Sequence, residues 1–152
     1  MKYLLVFLMV AGLAHSAAAS PIHDAAYVGD LDAVKRLVDS CVPLDVTDLV
    51  QNRFLETPLH MAAKKGHLDV VKYLVEKGAN YNASDILGYS VLHNAASSKT
   101  NAYEMVTYLV KGGGLPLASP YAISRSKYSI LHMAVLGSSL KLVQYLVESF
   151  SL

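Results

Sequence analysis

Apolar residues recur along this chain with the spacing of an α-helix in four separate segments. In the clearest one, Val70, Val71, Leu74 and Val75 fall at positions i, i+1, i+4 and i+5, which places them in one stripe along a helix. This helix is therefore predicted to bury one face. The same pattern predicts helices over 31–39, 68–76, 104–110 and 140–148.

A second, shorter motif precedes each of these helices. Residues 57–63 read Thr-Pro-Leu-His-Met-Ala-Ala, related segments occupy 90–96 and 129–135, and a weaker one occupies 20–26. Their histidines recur at intervals of about 33 to 39 residues, so the chain consists of four similar units, two of which carry insertions. These histidines are His23, His60, His93 and His132.

Local signals mark where the elements of one unit begin and end. Thr57 suits the N-cap of a short helix, and Pro58 suits its first position, where the missing N–H costs nothing. Gly66 and Gly78 are expected to end the short and the long helix, because glycine adopts the left-handed conformation without strain. Residues 80–88 are rich in turn formers and predict a β-turn or hairpin. Each unit therefore reads as turn, short helix and longer helix.

This pattern resembles the ankyrin repeat over essentially all of residues 20–152. The motif residues are those at 57–60, 62–63, 66–67 and 78–80, together with Val71. The resemblance implies an all-α solenoid of stacked helix-turn-helix repeats with β-hairpin loops. The four units then span about 20–56, 57–89, 90–128 and 129–152, the last of them incomplete.

Several segments depart from the family pattern. Cys41-Val42-Pro43 replaces the Gly-Ala-Asn that closes the second unit, and extra residues stretch the first linker and the third unit. The fourth unit stops at Leu152 without a closing glycine or hairpin. Its last residues are apolar, whereas terminal repeats usually present a polar outer face. Two interpretations stay open: the chain is a fragment, or something covers this end.

The N-terminus has the layout of a secretory signal peptide. A positive Met1-Lys2 precedes an apolar run over 3–14, and small residues follow with Ala17 and Ala19 in an A-x-A pattern. We expect cleavage after Ala19 and a secreted or periplasmic mature protein of residues 20–152. An uncleaved anchor is the alternative, although the run is shorter than the roughly 20 residues that cross a bilayer. No membrane span is expected after cleavage.

Composition and motifs exclude several classes of function. With 13 basic and 12 acidic residues the formal net charge is +1. The chain therefore lacks the excess of basic residues that is typical of nucleic-acid-binding domains. A single cysteine excludes a disulfide framework and a Cys-rich zinc site. The sequence contains no nucleophile elbow, zinc-protease or P-loop motif. We therefore expect a protein that is not an enzyme and has no cofactor, metal or small-molecule substrate.

The resemblance also gives the repeated histidines a structural role, in which each ring bonds backbone groups and ties one hairpin to its neighbour. They lie one per unit and do not converge on one ion. The glycine run at 112–114 is interpreted as a helix terminator. Cys41 is either a substitute for the terminating glycine, or a reactive thiol or partner in an intermolecular disulfide. Asn82 is either the hairpin asparagine of the family or a glycosylation site, since Asn82-Ala83-Ser84 is a sequon.

The family resemblance implies a protein-binding scaffold. Binding is expected on the concave helix face and at hairpin tips, where residues not needed by the repeat pattern are aromatic, apolar or charged. An exported module that binds a protein partner is the leading hypothesis. The alternative is an accessory or inhibitory subunit, or a truncated arm of a larger ankyrin-containing protein. Tyr73, Tyr108 and Tyr145 recur at one helix position and are expected to pack between repeats. The candidate binding residues are Arg53, Phe54, Glu56, Lys64, Lys65, Ile86, Leu87, Tyr89, Tyr121 and Tyr128.

Overall fold

A computed structural model of the chain describes residues 20–47, 54–111 and 128–150. This part of the chain folds into helix pairs separated by turns, and the fold is an all-α repeat solenoid. The helices are α1 (Pro21–Val28), α2 (Leu31–Asp39), α3 (Pro58–Lys65), α4 (Leu68–Glu76), α5 (Val91–Ser97), α6 (Ala102–Lys111), α7 (Ile130–Leu136) and α8 (Leu140–Phe150). Within the described ranges, no helix has the length and apolar character needed to cross a membrane.

The short helices begin as the motif predicts. Thr57 is the N-cap of α3, Pro58 occupies its first turn, and the backbone N–H of Thr57 donates to Nδ1 of His60 at 3.3 Å. The backbone N–H groups of Ser90 and Ser129 donate in the same way to the histidines of α5 and α7, at 3.2 and 3.3 Å. Because Nδ1 accepts in these contacts, the Nδ1 atom itself carries no hydrogen. The repeated histidine therefore accepts a hydrogen bond from the N-cap residue at the start of each of these short helices.

A left-handed residue separates the two helices of every pair. Gly66 fills this position with φ of 85°, and a Cβ there would lie 2.7 Å from the carbonyl oxygen of Thr100. In the third and fourth pairs the same turn is made by Asn101 and Ser138, with φ of 55° and 59°. The third pair needs asparagine because its insertion moves the turn away from any glycine, and asparagine tolerates this conformation.

The short helices form an inner row, in which α3 packs between α1 and α5, and α5 packs between α3 and α7. Ala62 and Ala63, with Ala95 and Ala96, are fully buried and let these helices approach closely. The longer helices form an outer row with fewer mutual contacts. This difference in packing curves a stack toward its inner row, which is consistent with the expected concave helix face.

The outer row contributes the larger core side chains. Leu74 is fully buried in α4, as its helical stripe predicts, and Leu109 and Leu146 are buried at the same position of α6 and α8. Tyr73, Tyr108 and Tyr145 pack partly buried against this core, as expected. The core is therefore shared along the stack and is not confined to one repeat.

Hydrogen bonds between neighbouring repeats fix their spacing. Nε2 of His23 donates to the carbonyl of Glu56 at 3.0 Å, so this histidine ties its repeat to the next, as the resemblance implies. His67 Nε2 lies 3.0 Å from the carbonyl of Tyr27, and Asn101 Nδ2 donates to the carbonyl of Gly66 at 2.9 Å. Each contact spans one repeat boundary, so neighbouring helix pairs are held in a defined register.

Candidate protein-binding surface

Three apolar side chains lie exposed at adjacent hairpin tips. Phe54, Ile86 and Leu87, here called the tip patch, expose 43, 43 and 36% of their surface. The backbone N–H of Ile86 donates to the carbonyl of Phe54 at 3.0 Å, which joins the tip of one hairpin to the next. The three residues were predicted as binding candidates from sequence, and the structure brings them to neighbouring positions.

A buried carboxylate holds the second tip rigid. Asp85 Oδ1 accepts hydrogen bonds from the backbone N–H groups of Leu87 at 2.9 Å and Tyr89 at 2.8 Å. The backbone N–H of Asp85 donates to the carbonyl of Tyr89, and Gly88 closes the turn with φ of 77°. The expected hairpin is thus a tight turn flanked by a single bridge between Ser84 and Ser90. The sequence assigned Asp85 only to turn geometry, whereas the structure shows that it fixes the apolar tip.

Glu56 is not a contact residue at a tip, and that prediction was wrong. The residue is only 3% exposed, because it directly precedes the N-cap of α3 and turns inward toward the inner helices. Its carboxylate accepts from Lys64 Nζ at 3.1 Å and from Asn94 Nδ2 at 3.3 Å. The polar side chains of repeats 2 and 3 therefore meet beneath the surface.

The remaining candidates on the described residues have partners of their own. Lys64 is half exposed and paired with Glu56, while Lys65 Nζ lies 4.2 Å from the ring centroid of Tyr27. Tyr89 is half buried and packs edge-on against His93 at 5.8 Å, so it stabilises the repeat as well as facing solvent. Tyr128 is 44% exposed and meets His132 at 6.1 Å in the same geometry.

Two side chains on the inner face were not predicted. Tyr27 is 46% exposed at the last turn of α1, in the position that Lys64 takes in the second repeat. Asn94 is buried on α5, where the neighbouring repeats have Met61 and Met133. Both residues differ from the residue type at the corresponding position of neighbouring repeats, and this difference could have identified them from the sequence.

Several sequence predictions fall outside the described residues. Arg53 and Tyr121 belong to this group, as do the signal peptide at 1–19, the glycine run at 112–114 and the second stretched segment of the third unit, at 120–126. The ends of the repeats at 48–53 and 112–127 are likewise outside.

The repeated histidines and Cys41 occupy structural positions. Burial lowers the pKa of His60 below its ordinary value, although the carboxylates of Glu56 and Asp85 act in the opposite direction. Among residues 20–47, 54–111 and 128–150, no group of three or more His, Cys, Asp or Glu could hold a metal ion. Cys41 is exposed and has φ of 62°, so it stands in the left-handed position that Gly78 fills in the second repeat.

Helix pairs stacked in register, with turns between successive pairs, define a helical repeat solenoid. The chain belongs to the ankyrin-repeat family: the family model described as ankyrin repeats (3 copies) matches residues 22–118, which is more than half of the chain. The fourth helix pair follows this match and continues the same stacking. No curated protein matches the chain. Ankyrin repeats generally mediate protein–protein interaction and are typically non-enzymatic scaffolds.

Proposed function

We propose that this chain is an exported ankyrin-repeat scaffold that binds a protein partner through the tip patch. The observation that carries the proposal is the exposure of Phe54, Ile86 and Leu87 on tips whose backbones are already hydrogen-bonded. Exposed apolar side chains lose hydration favourably on contact, and a rigid backbone lowers the entropy lost on binding.

The surroundings of the tip patch define the chemistry of the partner. Lys64 and Lys65 lie in the last turn of α3, the inner helix that follows Phe54 in the chain, and Lys64 is paired with Glu56. Interfaces commonly place apolar anchors at the centre and charged groups at the rim. We therefore expect a partner segment with apolar side chains for the tips and polar or acidic residues toward the lysines.

The binding proposal is tested by capture with matched variants. The double variant Phe54→Ala/Leu87→Ala removes two exposed side chains, and Val28→Ala, which changes a residue that is 66% exposed elsewhere, is the control. Proteins that cross-link to the wild type are identified first. Calorimetry then compares their affinities for the wild type, the double variant and the control variant. We expect the double variant to bind roughly 30-fold more weakly, as hot-spot truncation does. Unchanged affinity, with an unchanged thermal midpoint, would place binding on another surface.

Export is supported by the signal-peptide layout of residues 1–19. Sequencing the N-terminus of the protein released by producing cells tests it, and the expected first residue is Ser20. Recovery of the chain only inside cells, with Met1 intact, would contradict export and leave the binding proposal standing.

A further inference from the structure

An exposed asparagine lies in the turn that follows α4. Asn80 closes this turn, because its Oδ1 accepts from the backbone N–H of Asn82 at 3.0 Å and its carbonyl accepts from the backbone N–H of Ala83 at 3.2 Å. The turn therefore uses the side chain of Asn80 and only the backbone of Asn82. The side chain of Asn82 is exposed.

The first repeat shows what the hairpin requires at this position. Counted from the repeated histidines, Asp45 occupies in the first repeat the position that Asn82 occupies in the second. Oδ1 of Asp45 accepts from the backbone N–H of Asn80 at 2.8 Å, and this bond ties one hairpin to the next. A carboxylate accepts hydrogen bonds and does not donate them. The position therefore needs an acceptor oxygen, which Asn82 has in Oδ1, and the amide nitrogen Nδ2 is not required for this role.

Two other asparagines use their amide nitrogens within the stack. Nδ2 of Asn94 and Nδ2 of Asn101 donate hydrogen bonds to groups outside the third repeat, at 3.3 and 2.9 Å. Neither residue is followed by serine or threonine two positions later, whereas Asn82 is followed by Ser84. Of the five asparagines in the chain, only Asn82 begins the Asn-X-Ser/Thr sequon that accepts N-linked sugars.

The described surroundings of Asn82 are open. Ser84 is also exposed, and it pairs with Ser90 through a backbone bridge that does not involve its hydroxyl. A Cβ added to Gly78, which lies in the same turn, would meet no described atom within 4 Å apart from its chain neighbours. A large substituent on Asn82 is therefore compatible with the described part of the stack.

We propose that Asn82 is an N-glycosylation site, which receives an oligosaccharide on Nδ2 while the chain is exported. The proposal rests on the export part of the proposed function, because the sugar donor and its transferase act on chains that enter the secretory route. Oδ1 of Asn82 stays free to accept a hydrogen bond, as Oδ1 of Asp45 does. The hairpin and the modification therefore use different atoms of one side chain.

The transfer reaction balances with a lipid-linked oligosaccharide as the donor. Nδ2 of Asn82 forms a bond to C1 of the first sugar, and the bond between C1 and the pyrophosphate oxygen of the donor breaks. The lipid pyrophosphate leaves with the electron pair of that bond. Nδ2 gives one proton to a base of the transferase and keeps the other.

The test is translation of the full chain with microsomes of the endoplasmic reticulum. One version carries its own residues 1–19, and the other carries a reference secretory signal peptide in their place. Import is measured by resistance to added protease. Ser84→Thr preserves the sequon, Ser84→Ala removes the hydroxyl that completes it, and Asn82→Asp removes Nδ2 but keeps the acceptor oxygen that Asp45 uses.

We expect imported wild type and Ser84→Thr to gain mass that peptide N-glycosidase removes, leaving aspartate at position 82, and we expect complete loss of this mass in Ser84→Ala and Asn82→Asp. Imported wild type without the added mass would overturn the proposal and leave export standing, as would an unmodified Asn82 in protein released by producing cells. Added mass that persists in Asn82→Asp would overturn it too. Modification only behind the reference signal would support the acceptor site and contradict export by residues 1–19.

Discussion

The side-chain amide of Asn94 donates a hydrogen bond of 3.3 Å to the carboxylate of Glu56, although the two residues lie 38 positions apart. Lys64 donates to the same carboxylate from the inner helix of the second repeat. One buried acid therefore links the start of one repeat with the inner helix of the next.

Replacing this acid is expected to loosen the junction of repeats 2 and 3. Glu56→Ala leaves the buried Asn94 amide without this acceptor, and an unsatisfied buried group costs about 1–3 kcal/mol, whereas the half-exposed Lys64 ammonium is solvated by water. Urea unfolding measures the resulting decrease in the free energy of unfolding. Asp32→Ala is the control, because Asp32 is exposed and its 3.8 Å pair with Lys35 should contribute about 0.5 kcal/mol or less. Equal effects of the two changes would mean that Glu56 does not hold the junction.

Shortening a core side chain tests the helix register. Leu74→Ala removes a fully buried side chain from α4 and is expected to lower the free energy of unfolding by about 2–5 kcal/mol. Leu87→Ala removes the same atoms from an exposed tip, and its effect on stability should be much smaller. A loss below about 1 kcal/mol for Leu74→Ala in a urea melt would show that this face of α4 is not in the core.

Replacing Cys41, whose backbone is in the left-handed conformation, is expected to stabilise the protein. Cys41 is exposed and has φ of 62°, which costs a residue with a Cβ more than it costs glycine. Cys41→Gly is expected to stabilise the protein by about 0.5–1 kcal/mol after the larger chain entropy of glycine is subtracted. Cys41→Ala keeps the Cβ and should bring no gain. A thermal midpoint that rises equally in both variants would locate the effect in the thiol.

Acid is expected to destabilise the stack through His60. Burial lowers the pKa of this histidine in the folded protein, so the unfolded chain binds the proton more readily. The stabilising contribution is complete above about pH 6.5, the ordinary value, and is lost as the pH falls from there through the folded pKa. One such group changes the unfolding free energy by at most about 1.4 kcal/mol per pH unit.

Urea melts between pH 7.5 and 5 measure this slope. His60→Asn keeps a side chain that can accept at the N-cap but removes the titration, so the variant is expected to show a shallower slope at a lower overall stability. An identical slope in both proteins would assign the acid sensitivity to other groups.

Short-range patterns were enough to predict most of the fold. The apolar stripe through Leu74 and the N-cap residue Thr57 depend only on residues of the same repeat. The sequence therefore predicts these helices directly. The chain positions of Phe54, Ile86 and Leu87 next to turn residues likewise indicated exposed tips. Their proximity follows from the repeat length and could be anticipated once the register was known.

Predictions that depend on a neighbouring repeat were less successful. Glu56 looks like a tip residue until Asn94 and Lys64 are placed around it, and only the stacked structure brings these groups together. Ser138 takes a left-handed turn although Gly137 precedes it, and Gly137 lies so close to the carbonyl oxygen of Ala96 in the third repeat that a Cβ would not fit there.

The inner row has a consequence for how the chain exchanges its amide protons with solvent. Among the helices of the described residues, α3 and α5 have an inner neighbour on both sides, whereas α1 and α7 have one. Local opening of a middle helix pair must break two stacking contacts, so its amides should exchange deuterium most slowly. The protein would then lose protection from its ends toward residues 58–65 and 91–97, and a protease that cuts opened segments would shorten the chain in the same order.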